Sequence, residues 1–440
     1  MKYLVDNPVV IHLAANAVYT VVARHTKTTD QKRIDTLHIT GIGIAKTDAF
    51  VAGKIVHRDR LITAIKKSIS DAEEMANMRI HSVTLCFSTP ELISDNRLGR
   101  AEVLGDATTN DDMARALQVA KQSFHQADEY LVQFCPLMMW LGEEEGTRQV
   151  RDALGMTGID YIQAGYHLMS LPSRQVNEMH QVFKDCGVSV DHTVFGMVAG
   201  AEYALMKEER ERGVIFIDIG RDLVNVVVYN ENILIFSKCF DVGAHLVTQD
   251  ISAQLGIPLK EAERLKCHEA TLQLTADMKS KFIPQGHDEG VVSQMALCQI
   301  AQVRYDLIFD SIMTAINEAQ LGREFFEAGV VLSGGGSLIK GLVPYLRKRW
   351  GVPVHLTSTP PVELAIYTKG LRNSSIRQLS TLINQRQLHT AFGAMIYHLS
   401  DDFDYQQRLS HAEDDAEGLF GSMSEKVSSW WRSSWMGKRL

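Results

Sequence analysis

One arrangement occurs twice in this chain, about 200 residues apart, and it constrains the fold more than any other feature. Val9–Leu13, a small turn at Ala14-Ala15-Asn16, and Ala17–Arg24 read as a hairpin, followed by a strand at Leu37–Ala45 and a helix at Asp59–Ala76. Val214–Ile219, a turn near Gly220-Arg221-Asp222, and Val224–Tyr229 read as a second hairpin. Asn230-Glu231-Asn232 then turns into a strand at Ile233–Phe240 and a helix at His245–Leu255. Short runs rich in β-branched residues, bounded by turn formers, carry the strand signal. A hairpin, third strand and helix used twice predict a duplicated, two-lobed α/β protein. Lobes of this kind enclose a cleft where ligands bind.

Between the two copies, residues 84–163 read as an inserted block. Its strands are expected at Val83–Phe87, Glu129–Phe134 and Tyr161–Ala164, with a helix at Asn110–Ala127. Beyond it come a helix at Ser173–Cys186, a strand at Val188–His192, and a helix at Met197–Met206 ending in the charged run Lys207–Arg212. Helices are also expected at Lys260–Cys267 and Val291–Ala319. The strand Ala328–Leu332 is followed by the glycine turn Gly334-Gly335-Gly336-Ser337, which enters a helix at Leu338–Trp350.

With 440 residues, 45% of them hydrophobic, the chain has material for two or more cores. A net charge of −8 gives no electrostatic case for nucleic acid as a partner. The six cysteines are scattered without a C-x-x-C pair, which points to reduced thiols rather than disulfides or a zinc site. Residues 1–25 lack the layout of a signal peptide, and no apolar run reaches bilayer-spanning length.

The C-terminal stretch has a different character. Wound as a helix, Phe420, Met423, Val427, Trp430, Trp431 and Trp435 fall on one side, with Glu425, Ser429, Arg432, Ser433 and Arg439 opposite. Three of the five tryptophans lie here, beside Lys426, Arg432 and Lys438. This is the pattern of a helix lying in a membrane interface, its cations near anionic lipid headgroups. The competing reading is a terminal helix docked on the protein's own body. Residues 401–418 are acidic and almost free of aliphatic side chains, which predicts a flexible tether with a reach of about 23 Å. A single interfacial helix of this size binds reversibly, whereas several on one assembly hold firmly.

Ile217-Asp218-Ile219-Gly220, taken with Val331-Leu332-Ser333-Gly334-Gly335-Gly336-Ser337, resembles the ATPase superfamily of actin, the heat-shock chaperones and the sugar kinases. More closely the chain resembles the FtsA family of bacterial cell-division proteins. That likeness is carried by residues 240–266 (FDVGAHLVTQDISAQLGIPLKEAERLK), residues 182–205 (VFKDCGVSVDHTVFGMVAGAEYAL), and the acidic segment followed by an amphipathic end.

The resemblance implies an actin-like division of the chain. Residues 1–83, with 164–192 and 385–400, would form the first lobe core, and 84–163 an inserted subdomain used in filament contacts. Residues 193–243, with 312–384, would form the second lobe core, and 244–311 its tip, which docks the FtsZ C-terminal peptide. A linker at 401–418 and a membrane-targeting helix at 419–440 would complete the chain. ATP and Mg²⁺ would sit in the cleft, held by Asp218, Gly220, Gly334, Gly335, Gly336 and Ser337. Glu263 and Lys266 would hydrogen-bond the ribose or base, an intrahelical ion pair being the alternative. Arg304 would meet FtsZ, with a solvated surface arginine as the alternative.

Departures from the family pattern bear on activity. The family's first hairpin carries an acid–x–Gly at its tip, where this chain reads Ala14-Ala15-Asn16, and Arg221-Asp222-Leu223 replaces the usual small residues of the second loop. A hydrolytic site needs groups already placed around the γ-phosphate, so little or no hydrolysis is expected and no catalytic residue is assigned. The resulting expectation is a self-polymerising adaptor that holds FtsZ filaments on the cytoplasmic face of the inner membrane, at the division site, with other division proteins. The competing readings are a pilus-assembly type of actin-like scaffold and an ATP-dependent small-molecule kinase.

Overall fold

The computed structural model describes residues 4–27, 36–124, 128–143, 146–285, 290–358 and 360–420. The chain divides into two compact units. One comprises Met1–Glu91, His180–Asn232 and Ser237–Ile396; the other comprises Leu92–Met179, Ile233–Phe236 and the chain from Tyr397 on.

The first unit carries both copies of the repeated arrangement, each in its own sheet. In the first sheet the strand order is Ser189–Phe195, Ser82–Phe87, Val9–Ala14, Ala17–Lys27, Thr36–Lys46, Glu363–Ile366, with Leu4–Asp6 added to Ala17–Lys27. Val9–Ala14 runs antiparallel to Ala17–Lys27 and parallel to Ser82–Phe87. In the second sheet Val214–Ile219 runs antiparallel to Val224–Asn230 and parallel to Gly329–Ser333, which in turn pairs with Val354–Leu356. The hairpin, its parallel neighbour and the strand that follows are thus the same in both sheets. Val214, Ile215, Phe216 and Ile217 are buried in succession, as in a central strand covered on both faces.

The helix Arg58–Ala76 packs on the strand Thr36–Lys46 through Leu61, Ile65, Ile69, Ala72 and Met75, a helical stripe at three- and four-residue intervals. Its approach is close. A Cβ at Gly43 would stand 1.8 Å from the Ser68 carbonyl oxygen, so only glycine fits there. Ser68 and Thr20 join hydroxyls at 2.7 Å across the same contact.

The second unit is a four-stranded antiparallel sheet in the order Gly146–Val150, Glu129–Glu143, Tyr161–Pro172, Ile93–Glu102. The helix Asn110–Phe124 lies on it through Met113, Ala116, Leu117 and Ala120. The strand Ile93–Glu102 escaped the sequence reading because its run ISDNRLGRAE is polar and only Gly99 and Ala101 are buried.

Three expectations are corrected here. Val83–Phe87, assigned from sequence to the inserted block, lies in the first unit's sheet, between Val9–Ala14 and Ser189–Phe195. The helix expected from Leu338 begins at Leu342, after the short turn Gly335–Leu338. Gly341 is left-handed at φ 79°, and Pro344 has no amide to give an earlier turn. Residues 401–418, expected as a flexible tether, belong to the helix Asp401–Phe420. Its acidic run assists that outcome: Asp401, Asp402 and Asp404 fall in the first turn, where the helix dipole favours negative charge. The Ser400 hydroxyl accepts from the Phe403 amide at 3.3 Å. Phe403, Tyr405, Leu409 and Ala412 are buried, the last three against the core of the second unit, and Arg408 reaches Asp152 at 3.1 Å. A stripe of few but large apolar residues at helical spacing outweighed the acidic composition.

No helix among the described residues is long and apolar enough to cross a membrane. Met423, Lys426, Val427, Trp430, Trp431, Arg432, Trp435 and Lys438 lie outside the described residues, and Phe420 ends the last helix.

Candidate functional site

A cleft of about 400 Å³ opens in the first unit, within the size range of small-molecule sites. The tips of both hairpins, the glycine turn and the segment 386–390 line it. Of the residues expected from sequence, Asp218, Gly220, Gly334, Gly335 and Ser337 lie on its wall.

The glycine turn is built by close packing. Gly334 has φ +83°, and a Cβ there would stand 2.3 Å from the Ile219 carbonyl oxygen and 2.5 Å from Asp218 Oδ1. The turn therefore presses its backbone against the second hairpin. The Ser337 hydroxyl donates to the Gly334 carbonyl at 2.6 Å, and the buried Tyr305 hydroxyl donates to the Gly336 carbonyl at 2.5 Å. A Cβ on Gly335 would meet nothing within 4 Å, whereas one on Gly336 would strike Ile219 Cγ2 at 2.4 Å. Gly335 faces open space and Gly336 serves packing.

Asp218 is held by Asn225, whose Nδ2 donates to Oδ2 at 3.4 Å. Burial pushes the Asp218 carboxyl up, against that hydrogen bond. Asp222 has one carboxylate oxygen 3.7 Å from Arg221 Nε, and its other oxygen is buried without a partner among the described residues.

Hairpin register corrects the sequence reading of the first loop. His12 faces Tyr19 across its hairpin with the same separation as Asp218 faces Asn225, and Leu13 faces Val18 as Ile219 faces Val224. The counterpart of Asp218-Ile219-Gly220 is therefore His12-Leu13-Ala14, two positions before the Ala14-Ala15-Asn16 set chosen from sequence. His12 lines the cleft and stacks on Tyr19 at 5.9 Å. Burial lowers its pKa to about 4, and its Nδ1 is buried without a partner among the described residues. Counting outward from the two hairpin tips would have found it in the sequence.

Mg²⁺ does not fit this donor set. It takes near-octahedral oxygen ligands, typically one or two carboxylates together with phosphate and water. The first loop offers an imidazole in place of a carboxylate, and Asp222 is beside Arg221. No group of three or more His, Cys, Asp or Glu suited to a metal occurs among the described residues.

Two expected ligands lie elsewhere. Glu263 and Lys266 are absent from the cleft wall and bind each other at 2.7 Å. Lys266 Nζ also donates to the Ala244 carbonyl and the Thr248 hydroxyl, at 3.1 and 2.9 Å, while Thr248 donates to Glu263. One helical turn of separation on the helix Leu259–His268 joins them as a local pair. Arg304 is also engaged: its Nε and Nη2 donate to both Asp250 oxygens at 2.6 and 2.8 Å. Arg386, Gln387 and His389 were missed by sequence reading, and no motif marks them. Gln387 Oε1 accepts from the Tyr19 hydroxyl at 3.4 Å, which ties this segment to the first hairpin.

Residues 215–380 match the family model described as cell division protein FtsA. The second hairpin and the glycine turn both lie in that stretch. Among curated proteins, FtsA of Buchnera aphidicola is 28% identical over 79% of this chain and 84% of its own length. FtsA of Neisseria meningitidis is 26% identical over 73% and 77%, and FtsA of Escherichia coli 23% over 90% and 92%. The chain is similar to the cell division protein FtsA over most of its length. Among solved structures, a PilM–PilN type IV pilus biogenesis complex superposes with a TM-score of 0.58, covering 89% of this chain and 98% of that one at 14% identity. That likeness speaks to the fold alone.

Proposed function

We propose that this chain is a cell-division protein of the FtsA type that works by assembly rather than by chemistry. In this reading it holds FtsZ filaments, through their C-terminal peptide, on the cytoplasmic face of the inner membrane, and it joins copies of itself and other division proteins. The observation that carries it is similarity to FtsA across 90% of the chain, together with a duplicated-sheet unit and a separate four-stranded unit. The cleft supports a bound nucleotide, and the missing first-loop carboxylate supports slow or absent hydrolysis.

Membrane attachment rests on the amphipathic pattern of residues 420–440. Trp430→Glu with Trp431→Glu is expected to abolish co-sedimentation with anionic liposomes and leave the thermal unfolding of the body unchanged. Undiminished sedimentation would remove the tail from the membrane role. For the partner, Arg304→Glu is a poor test, because it sets a carboxylate against Asp250 and disturbs the fold. Arg304→Gln keeps a donor for Asp250 and removes the charge. It is expected to weaken binding of an FtsZ tail peptide about tenfold, and an unaltered affinity would take Arg304 out of the docking surface.

The pilus-scaffold reading is supported by fold alone. The kinase reading needs an intact first phosphate loop, which His12-Leu13-Ala14 does not supply.

A further inference from the structure

The two halves of the cleft have unlike chemistry. Asp218 of the second hairpin has His12 as its counterpart in the first, by register. The imidazole is neutral near pH 7, since burial takes its pKa down to about 4. The first hairpin therefore presents a neutral ring at the position where the second presents a carboxylate.

The walls of the cleft also hold positive charge. Arg221 and Arg386 both line the cleft. Arg221 is half exposed and sits beside Asp222. Arg386 is exposed, next to Gln387, which holds the Tyr19 hydroxyl of the first hairpin. Nearby His389 is kept neutral by burial and, to a lesser degree, by the Arg386 charge, its pKa falling to about 4. His389 is thus no competing cation, and Arg386 stands as the positive group on the first-hairpin side. A guanidinium matches phosphate oxygens with paired donors, and the buried, unpartnered His12 Nδ1 is a polar atom still needing one.

We propose that this cleft takes the phosphate chain of a nucleoside triphosphate without a divalent cation, His12 replacing the first loop's carboxylate and Arg386 supplying the positive charge. The inference rests on the nucleotide reading given above and adds how the anion is neutralised. With a carboxylate at position 12, phosphate would need a metal between two negative groups. With an imidazole there, the bridging ion has lost half of its protein side, and phosphate oxygens meet a neutral ring and a guanidinium instead.

Titration calorimetry of the full chain with ATP, in excess EDTA and in excess Mg²⁺, tests this. The expected affinities agree within about threefold. Arg386→Gln is exposed and is expected to lose about tenfold in EDTA. His12→Asp is expected to make binding metal-dependent, falling at least about tenfold in EDTA and recovering with Mg²⁺. Should that buried variant fail to fold, the unmodified chain and Arg386→Gln still decide. Binding that requires Mg²⁺ in the unmodified chain overturns the metal-free mode while leaving nucleotide binding intact. Binding in EDTA that ignores Arg386→Gln overturns the role of Arg386. Absence of binding in both buffers overturns the nucleotide reading and this inference with it.

Discussion

Leu409→Ala is expected to release the last described helix from the second unit. Leu409 is fully buried in the cluster that holds Met113, Leu117, Phe134 and Tyr166, and deleting a buried leucine side chain costs about 2–5 kcal/mol. Leu409 is the most deeply buried of the side chains that hold this helix: Tyr405 and Ala412 pack in the same cluster, Tyr405 meets Tyr166 hydroxyl to hydroxyl at 3.5 Å, and Arg408–Asp152 is a surface pair. Hydrogen exchange reads the effect directly. Amides of 401–420 should lose roughly a hundredfold of protection, while those of the helix Arg58–Ala76 keep theirs. Full protection of 401–420 in the variant would mean that the helix does not depend on the packing of Leu409.

Gly334→Ala is expected to damage the cleft and the stability of its unit together. The new Cβ would collide with the Ile219 carbonyl and with Asp218 Oδ1, at 2.3 and 2.5 Å, and the residue would be held at φ +83°. Left-handed strain costs roughly 1–2 kcal/mol and overpacking another 1–3, so urea unfolding should shift by about 2–5 kcal/mol. Gly335→Ala is the matched control, because its Cβ would meet open space. It should leave unfolding within about 0.5 kcal/mol while crowding whatever occupies the cleft. Equal stability of the two variants would show that the turn is not pressed against the second hairpin.

Much of the fold was legible because the repeated arrangement is written in local signals. The hairpins at Val9–Ala14 and Val214–Ile219 have β-branched runs and short turns, and the helices at Arg58–Ala76 and Ala244–Leu255 have clear apolar stripes. The strand Ile93–Glu102 was illegible because its pairing, rather than its polarity, makes it a strand. The helix Asp401–Phe420 was misread for a related cause. Composition counted its aspartates, whereas spacing would have shown Tyr405, Leu409 and Ala412 on one face. At the cleft, glycines and Asp218 could be read from their motif. His12 could be found by counting back from the hairpin tips, as the strand register bears out, whereas Arg386 is brought to the cleft by tertiary structure alone. Glu263 and Lys266 satisfy each other, so their chemistry was visible but not its destination.

The helix Asp401–Phe420 packs within the second unit, on the helix Asn110–Phe124 and the strand Glu129–Glu143, held by Tyr405, Leu409 and Ala412. A pull directed along its axis loads those contacts in shear, so they share tension and give way together, where a peeling geometry would open them singly. A chain whose final segment grips a surface while its body holds a partner would have, in this seam, a joint suited to transmitting pull rather than damping it.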